Sequence, residues 1–431
     1  MKRAFFAVAA AFAAYGCAPA QHDSAAPPDF TIANVAVFDG ETMHLRQTVE
    51  IADGKISALY DAGEKSSHGG VVIDGEGLTL LPGLINAHVH MQQSDDAEAG
   101  LKAMLRQGIT SVRDLVGDVR PLQTLNRRAA EEALDIPDIY FSALLGGPKH
   151  MSDPRGVAAS EGYEPGAAPW MRAVTPEDDL AAIVSDAKAT GATGVKLYAS
   201  LDADLLRRIT TEADRQGMKV WTHSVIFPAT ATDVVASGPT QIIHAKGLVS
   251  AGDEGLPDNF GDGTRQYMRT RPFAERSPHA APYTELFAKM SASGVMLEPA
   301  LVADGDVALR QGRELPPPML AMRDWACAAT GAAYQAGVAI GAGTDYHGEG
   351  ELFTLELNRL HECGLPNEAV LTAATLNNAR AIGIDGHAGR IAPGYDADLL
   401  LVEGDPAEDL SALKNVRYVM KHGRMIVGDT E

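Results

Sequence analysis

Two textures of apolar and polar positions alternate along the chain. Residues 30–80 hold short runs rich in Val and Ile, "FTIANVAVFDG", "TVEIADGKISALY" and "GGVVIDGEGLTLL", punctuated by Asp-Gly and Gly-Gly, and they predict short strands joined by turns. The same texture returns near the C-terminus in "ADLLLVEGD" and "VRYVMKHGRMIVG". Between the two, amphipathic stretches alternate with short apolar runs. "DAEAGLKAMLRQG" leads into "ITSVRDL", "PLQTLNRRAAEEAL" into "DIYFSALL", and "PEDDLAAIVSDAKATG" into "ATGVKLYA". "DADLLRRITTEADRQG" then precedes "MKVWTHS", "ATATDVVASG" precedes "PTQIIHA", "TELFAKMSASG" precedes "VMLEPA", and a long helical stretch precedes "VAIGAGTD". With "LLPGLINAHVH" counted first, the rhythm predicts eight strands separated by helices, the make-up of a TIM (β/α)8 barrel.

The stretch ahead of this pattern has a different character. Lys2 and Arg3 precede an apolar run, Ala4 to Tyr15, that is short for a membrane span and reads as an export signal over residues 1–20. Two cleavage sites compete: "AYGC" would leave a lipidated Cys17, the chain's one expected link to a membrane, and "APA" would release a soluble protein. Either exports the chain to a periplasmic or lipid-anchored envelope location of a bacterial cell. The sequence counts 36 Lys plus Arg against 57 Asp plus Glu, a net charge of −21 that repels phosphate backbones and argues against nucleic-acid binding. A small-molecule substrate is the expected partner, and a homo-oligomer is compatible with the sequence. Cys327 and Cys363 lie in separate predicted helices and read as two free buried thiols, with pairing open to them in an oxidising compartment.

Chemistry-bearing residues fall at the C-terminal ends of the predicted strands, where a barrel of this type builds its site. His88 and His90 share one face of the first strand, because residues i and i+2 point the same way. Lys196 sits in the fourth strand, His223 ends the fifth, His244 ends the sixth and Asp345 ends the eighth. A lone strand histidine is more often structural, and a lone Asp after Gly-Thr is more often a helix cap. Six such residues on the appropriate strands are not explained that way.

With these residues in place the chain resembles the amidohydrolase superfamily, more narrowly its imidazolonepropionase-like and prolidase-like metal-dependent hydrolases. The resemblance runs from about residue 30 to the end and includes "GRIAPGYDADLLLVEGDP". It implies a small β-sandwich domain built from both chain ends, residues 30–81 and 384–431, around a barrel at 82–383. It also implies two divalent ions, zinc by donor type, with His88, His90 and Asp345 on one, His223 and His244 on the other, and an N6-carboxylated Lys196 bridging them. Asp345 would be the catalytic base and then acid. His150, in the loop after the third strand, would contact the substrate carbonyl, and Tyr198 and His347 would face the same mouth. The loops 146–172 and 248–280 read as lids or pocket walls, and Arg265, Arg269 and Arg271 read either as contacts to a substrate carboxylate or as solvated side chains. The implied reaction is hydrolysis of an amide bond in Xaa-Pro-like dipeptides or N-acyl amino acids. A lactonase or deaminase on the same scaffold, and a non-catalytic exported binding protein, are the alternatives.

Overall fold

The computed structural model describes residues 29–61, 70–132, 134–251, 253, 257, 267, 271–347 and 350–428. The expected export signal, Cys17, Arg265 and Arg269 lie outside the described residues. Among the described residues no helix is long and apolar enough to cross a membrane.

Both chain ends feed one mixed sheet. Its strands are β1 (Phe30–Phe38), β2 (Met43–Ala52), β3 (Lys55–Asp61), β4 (Val71–Asp74) and β5 (Leu78–Pro82) from the first part of the chain. The last part adds β15 (Leu399–Glu403), β16 (Val416–Lys421) and β17 (Arg424–Val427), in the order β17-β16-β15-β5-β1-β2-β3 with β4 on β1. The unbroken run Leu399–Val402 is buried on both faces, because alternate residues serve different cores. Leu399 and Leu401 join Ile32, Val37 and Ile51 in the core of this sheet, whereas Leu400 and Val402 join the barrel core.

The barrel strands are β6 (Leu84–Val89), β7 (Ile109–Asp114), β8 (Asp138–Gly146), β11 (Gly194–Leu197), β12 (Lys219–His223), β13 (Gln241–Ile243) and β14 (Met296–Glu298). They pair in parallel in that order, and the short β10 (Met171–Ala173) pairs with the C-terminal half of β8 and carries β9 (Ala167–Ala168) on its other edge. Helices cover the outside. The helix Ala203–Arg215 shows how: Asp202 caps it by accepting from the Leu205 amide, and Leu205, Leu206, Ile209 and Ala213 turn inward at helical spacing.

The eighth strand forms in a reduced way. "VAIGAGTD" closes the barrel through isolated parallel bridges, Leu297 with Ile340 and Val89 with Tyr346, rather than a continuous ladder. Gly343 lets this segment pass close beneath the site, since a Cβ there would meet the His88 Cβ at 2.5 Å and Glu298 Oε1 at 2.7 Å. Backbone bonds still tie it on both sides, Leu297 N to Ala339 O and Gly341 N to Leu297 O on one, Ala87 N to Ala342 O and Thr344 N to His88 O on the other, and side chains of a π-helical turn, Ala373–Asn377, and of the residue after it add to them. Asn378 Nδ2 donates to Ile85 O at 2.6 Å and Ala342 O at 2.7 Å, and its Oδ1 accepts from the Ala342 amide at 3.0 Å.

Cys327 and Cys363 are not free thiols; they form a disulfide with their Cα atoms 5.0 Å apart. Cys327 lies in the helix Pro317–Gln335 and Cys363 just past the end of the helix Gly350–Glu362, and small residues let the two segments close up. A Cβ on Gly331 would meet the Cys363 carbonyl oxygen at 2.2 Å, and Ala326, Ala329 and Ala333 are buried in the same helix, Pro317–Gln335.

Candidate metal centre

A cavity of about 700 Å³ opens at the C-terminal ends of the barrel strands. His88, His90, Lys196, His223, His244 and Asp345 all line it, as do His150, Tyr198 and His347. The six expected metal ligands and the three expected substrate contacts therefore line one space.

Asp345 lies at the convergence. Its Oδ1 is 3.2 Å from His88 Nε2 and 2.9 Å from His90 Nε2, and its Oδ2 is 3.7 Å from His244 Nε2. Asp345 takes a left-handed backbone at φ +52° and His244 one at φ +71°, conformations that non-glycine residues hold only when their surroundings enforce them. Both lie where the chain leaves the barrel, and the twist turns their side chains inward. The His88 and His90 rings stand 5.1 Å apart, and the His223 and His244 rings 4.6 Å apart.

The protonation pattern follows from burial and neighbours. Burial draws His90, His223 and His244 below the ordinary imidazole value, those of His223 and His244 well below it, so these rings are neutral at physiological pH. Burial acts to raise the Asp345 carboxyl, but His88 and His244 hold it well below the usual carboxylate range. Burial also brings Lys196 down to about 7, against the opposing pull of Glu298 and Asp345. Burial acts to lower His88 too, but the Glu298 and Asp345 carboxylates raise it above the ordinary imidazole value. The neutral imidazoles of His90, His223 and His244, an ionised carboxylate and an easily deprotonated lysine are the donor chemistry of a divalent-metal site. His88, His244 and Asp345 place one ligand atom each within 4.8 Å of one another, and the buried Nδ1 atoms of His90 and His244 have no hydrogen-bond partner among the described residues. The residues present fit a metal.

The support beneath this site was not anticipated. Glu298, the last residue of β14, accepts from His88 Nδ1 at 2.9 Å and from Arg113 Nη2 at 3.0 Å. It thereby fixes which His88 nitrogen faces Asp345. Arg113, in β7, also donates to Ala87 O and Gln241 Oε1 and lies 4.5 Å from the Trp221 ring centroid. A charged residue inside each of the apolar runs "VMLEPA" and "SVRDL" was the signal for both. Lys246, Gln92 and Tyr346 also line the cavity and were missed. His150, in the short helix Pro148–Met151, stacks on Tyr198 at 4.7 Å, and His347 stacks on Tyr346 at 4.8 Å. Arg271 does not reach the cavity wall. It pairs with Asp253 at 3.2 Å and lies over the Tyr267 ring, because a nearer carboxylate claims it.

Comparison with known proteins places these features. The model of the amidohydrolase family matches residues 79–426. N-acyl-D-aspartate deacylase of Alcaligenes xylosoxydans xylosoxydans is 34% identical over 128 residues, 28% of this chain and 25% of that protein. Urease subunit alpha of Laribacter hongkongensis is 36% identical over 96 residues, 20% of this chain and 16% of that protein. The chain thus spans about a sixth to a quarter of these relatives' length. Among solved structures, a Xaa-Pro dipeptidase with bound methionine in its active site superposes with a TM-score of 0.72 at 22% identity, covering 93% of this chain and 100% of that one. Ochratoxinase of A. niger superposes at 0.73 with 21% identity, covering 94% and 96%. At those identities the two structures share the fold.

Proposed function

The chain belongs to the amidohydrolase family, and from that premise we propose that it is a metal-dependent hydrolase that cleaves an amide C–N bond in a small molecule. Dipeptides, Xaa-Pro-like among them, and N-acyl amino acids are the substrate classes we assign. The observation that carries this reading is the convergence of His88, His90 and His244 on the Asp345 carboxylate at the cavity floor. His88, His90 and Asp345 would hold one divalent ion, zinc by donor type, and His223 and His244 a second, with an N6-carboxylated Lys196 between them. A Lys196 pKa of about 7 supports that modification, because the free amine is the form that adds to carbon dioxide. When bound, the ions supply a water of lowered pKa and polarise the substrate carbonyl.

The chain's own groups do the rest. The ionised Asp345 carboxylate takes the proton from the attacking water. As the C–N bond breaks, it returns that proton to the leaving nitrogen, which departs as a neutral amine. His150, Tyr198 and His347 line the approach and would orient the substrate; His150 is the group we assign to the scissile carbonyl. Export to the cell envelope is part of the proposal. It rests on the N-terminal signal pattern and on a disulfide of the kind that persists in oxidising compartments.

The test is a hydrolysis screen of zinc-loaded protein against Xaa-Pro dipeptides, other dipeptides and N-acyl amino acids, with a chelated sample beside it. Metal-dependent release of amine from one class is the expected result. Asp345→Asn should keep bound zinc while turnover falls about 100- to 10,000-fold. Turnover of the variant at the parent's rate, or cleavage of lactones alone, would overturn the reading.

A further inference from the structure

Lys246 carries a charge on the cavity wall for which the proposed chemistry has no use. It lies two residues past His244, in the turn Ala245–Ser250, and its side chain is 24% exposed. Its ammonium donates to Asp304, which is 1% exposed and is not on the cavity wall. Asp304 is itself held in place from behind. It ends the turn Val302–Asp304, and the Leu301 and Val302 amides donate to the two Glu356 carboxylate oxygens at 3.0 and 2.8 Å. Asp306, two residues on, is clamped by Arg323 at 2.6 Å. A buried carboxylate therefore grips a lysine whose side chain lines the substrate space.

An ammonium has three N–H donors, and Asp304 accepts one. Among the described residues Asp304 is its one hydrogen-bond partner, which leaves the others to a ligand. A second carboxylate arriving from the cavity would sit ~3 Å from the ammonium nitrogen and about twice as far from Asp304 on the far side. Attraction then exceeds repulsion roughly twofold by Coulomb's law, and the low-dielectric wall strengthens both. The other lysine on this wall, Lys196, belongs to the proposed metal site, and Arg271 is taken by Asp253.

We propose that Lys246 is the subsite for a free carboxylate of the substrate, with Asp304 as its positioning residue, so that the amides this protein prefers are those bearing a carboxylate. The proposal rests on the hydrolase reading for the place of the scissile bond, and its binding test does not require turnover.

The probes are L-methionine and L-methioninol, which differ by a carboxylate against a neutral hydroxymethyl and contain no amide. Each is titrated calorimetrically into the zinc-supplemented full chain. The parent is expected to prefer methionine. Lys246→Met should weaken methionine about 10- to 100-fold, the range for losing a charge-assisted hydrogen bond, with methioninol affinity and zinc content little changed. Lys246→Arg should restore part of the preference, and Asp304→Asn should reduce it without abolishing it. A parent that does not distinguish the probes overturns the proposal. So does a Lys246→Met protein that keeps the preference, because the metal site would then be holding the carboxylate. If Lys246→Met fails to fold, Lys246→Arg and Asp304→Asn read the same preference, and an unchanged ratio in both overturns it. Failure of the hydrolysis screen with the carboxylate preference intact sinks the amide reading and leaves Lys246 assigned.

Discussion

Glu298→Gln probes the support beneath the metal centre. The side chain is 0% exposed and accepts two charged or polar donors, His88 Nδ1 at 2.9 Å and Arg113 Nη2 at 3.0 Å. Glutamine has nearly the same shape but offers one acceptor oxygen and one donor nitrogen. Either His88 or Arg113 must then face an N–H group. Burial already lowers the Arg113 pKa to about 10 with Glu298 opposing, so removing the negative charge leaves a guanidinium without its counter-ion in the protein interior. Breaking a buried pair in this way costs about 3–5 kcal/mol. At an unfolding entropy of ~2.1 cal/mol/K per residue over roughly 400 residues, that is a fall in Tm of about 4–6 °C. His88 also loses the partner that orients its ring, which lowers metal affinity about 10- to 100-fold. Calorimetry of the metal-free protein reads the first effect, and chelator competition reads the second. The double variant Glu298→Leu with Arg113→Met removes both charges and should recover much of the Tm while metal affinity stays low. A single variant with Tm within about 1 °C and zinc affinity within about twofold of the parent would refute the assigned role.

Three further outcomes follow from the geometry. Replacing Cys327 and Cys363 by alanine removes a crosslink between positions 36 residues apart and should lower stability by roughly 4 kcal/mol, measured by denaturant unfolding; an unchanged midpoint would count against it. Asn378→Ala takes the side-chain partner from the Ala342 amide and from Ile85 O, while Ala342 O keeps the Ala87 amide, and should cost about 1–3 kcal/mol, with faster hydrogen exchange at the Ala342 amide as the local signature; parent-like exchange there would contradict it. Burial acts to raise the Asp138 carboxyl, but His422 and Lys421 bring it down to about 2 from 3.8. A carboxyl whose pKa is lower in the folded state stabilises above its unfolded value and loses that contribution as pH falls through the folded one. Tm should therefore drop between about pH 4 and pH 2, and less steeply in Asp138→Asn; identical slopes would refute the assignment.

The sequence made legible whatever depends on the direction of a side chain along one element. Alternation put His88 and His90 on one face, and the strand-ending positions of Lys196, His223, His244 and Asp345 led to one cavity. What it hid depends on elements meeting in space. Glu298 and Arg113 stand 185 residues apart and looked like interruptions of separate strands. The disulfide was obscured because separate helices suggested distance, whereas the alanines and Gly331 around Cys327 were the sign of close packing. The eighth strand was located correctly, but its two glycines, Gly341 and Gly343, did not reveal that asparagine side chains would add to its pairing.

The double-faced strand Leu399–Glu403 bears on the order in which the protein can be made. It pairs with β5, and Thr79 reaches across to the Gly404 carbonyl, 325 residues further along the chain. During synthesis the first strands emerge long before this partner exists, so their apolar edge stays open while nearly the whole barrel is being produced. Leu400 and Val402 are also part of the barrel's own packing, which leaves the barrel short of a layer until the same late segment arrives. A chain cut before residue 399 therefore loses both halves of the fold together, and the interval before that strand appears is when the protein is most exposed to mispairing and aggregation.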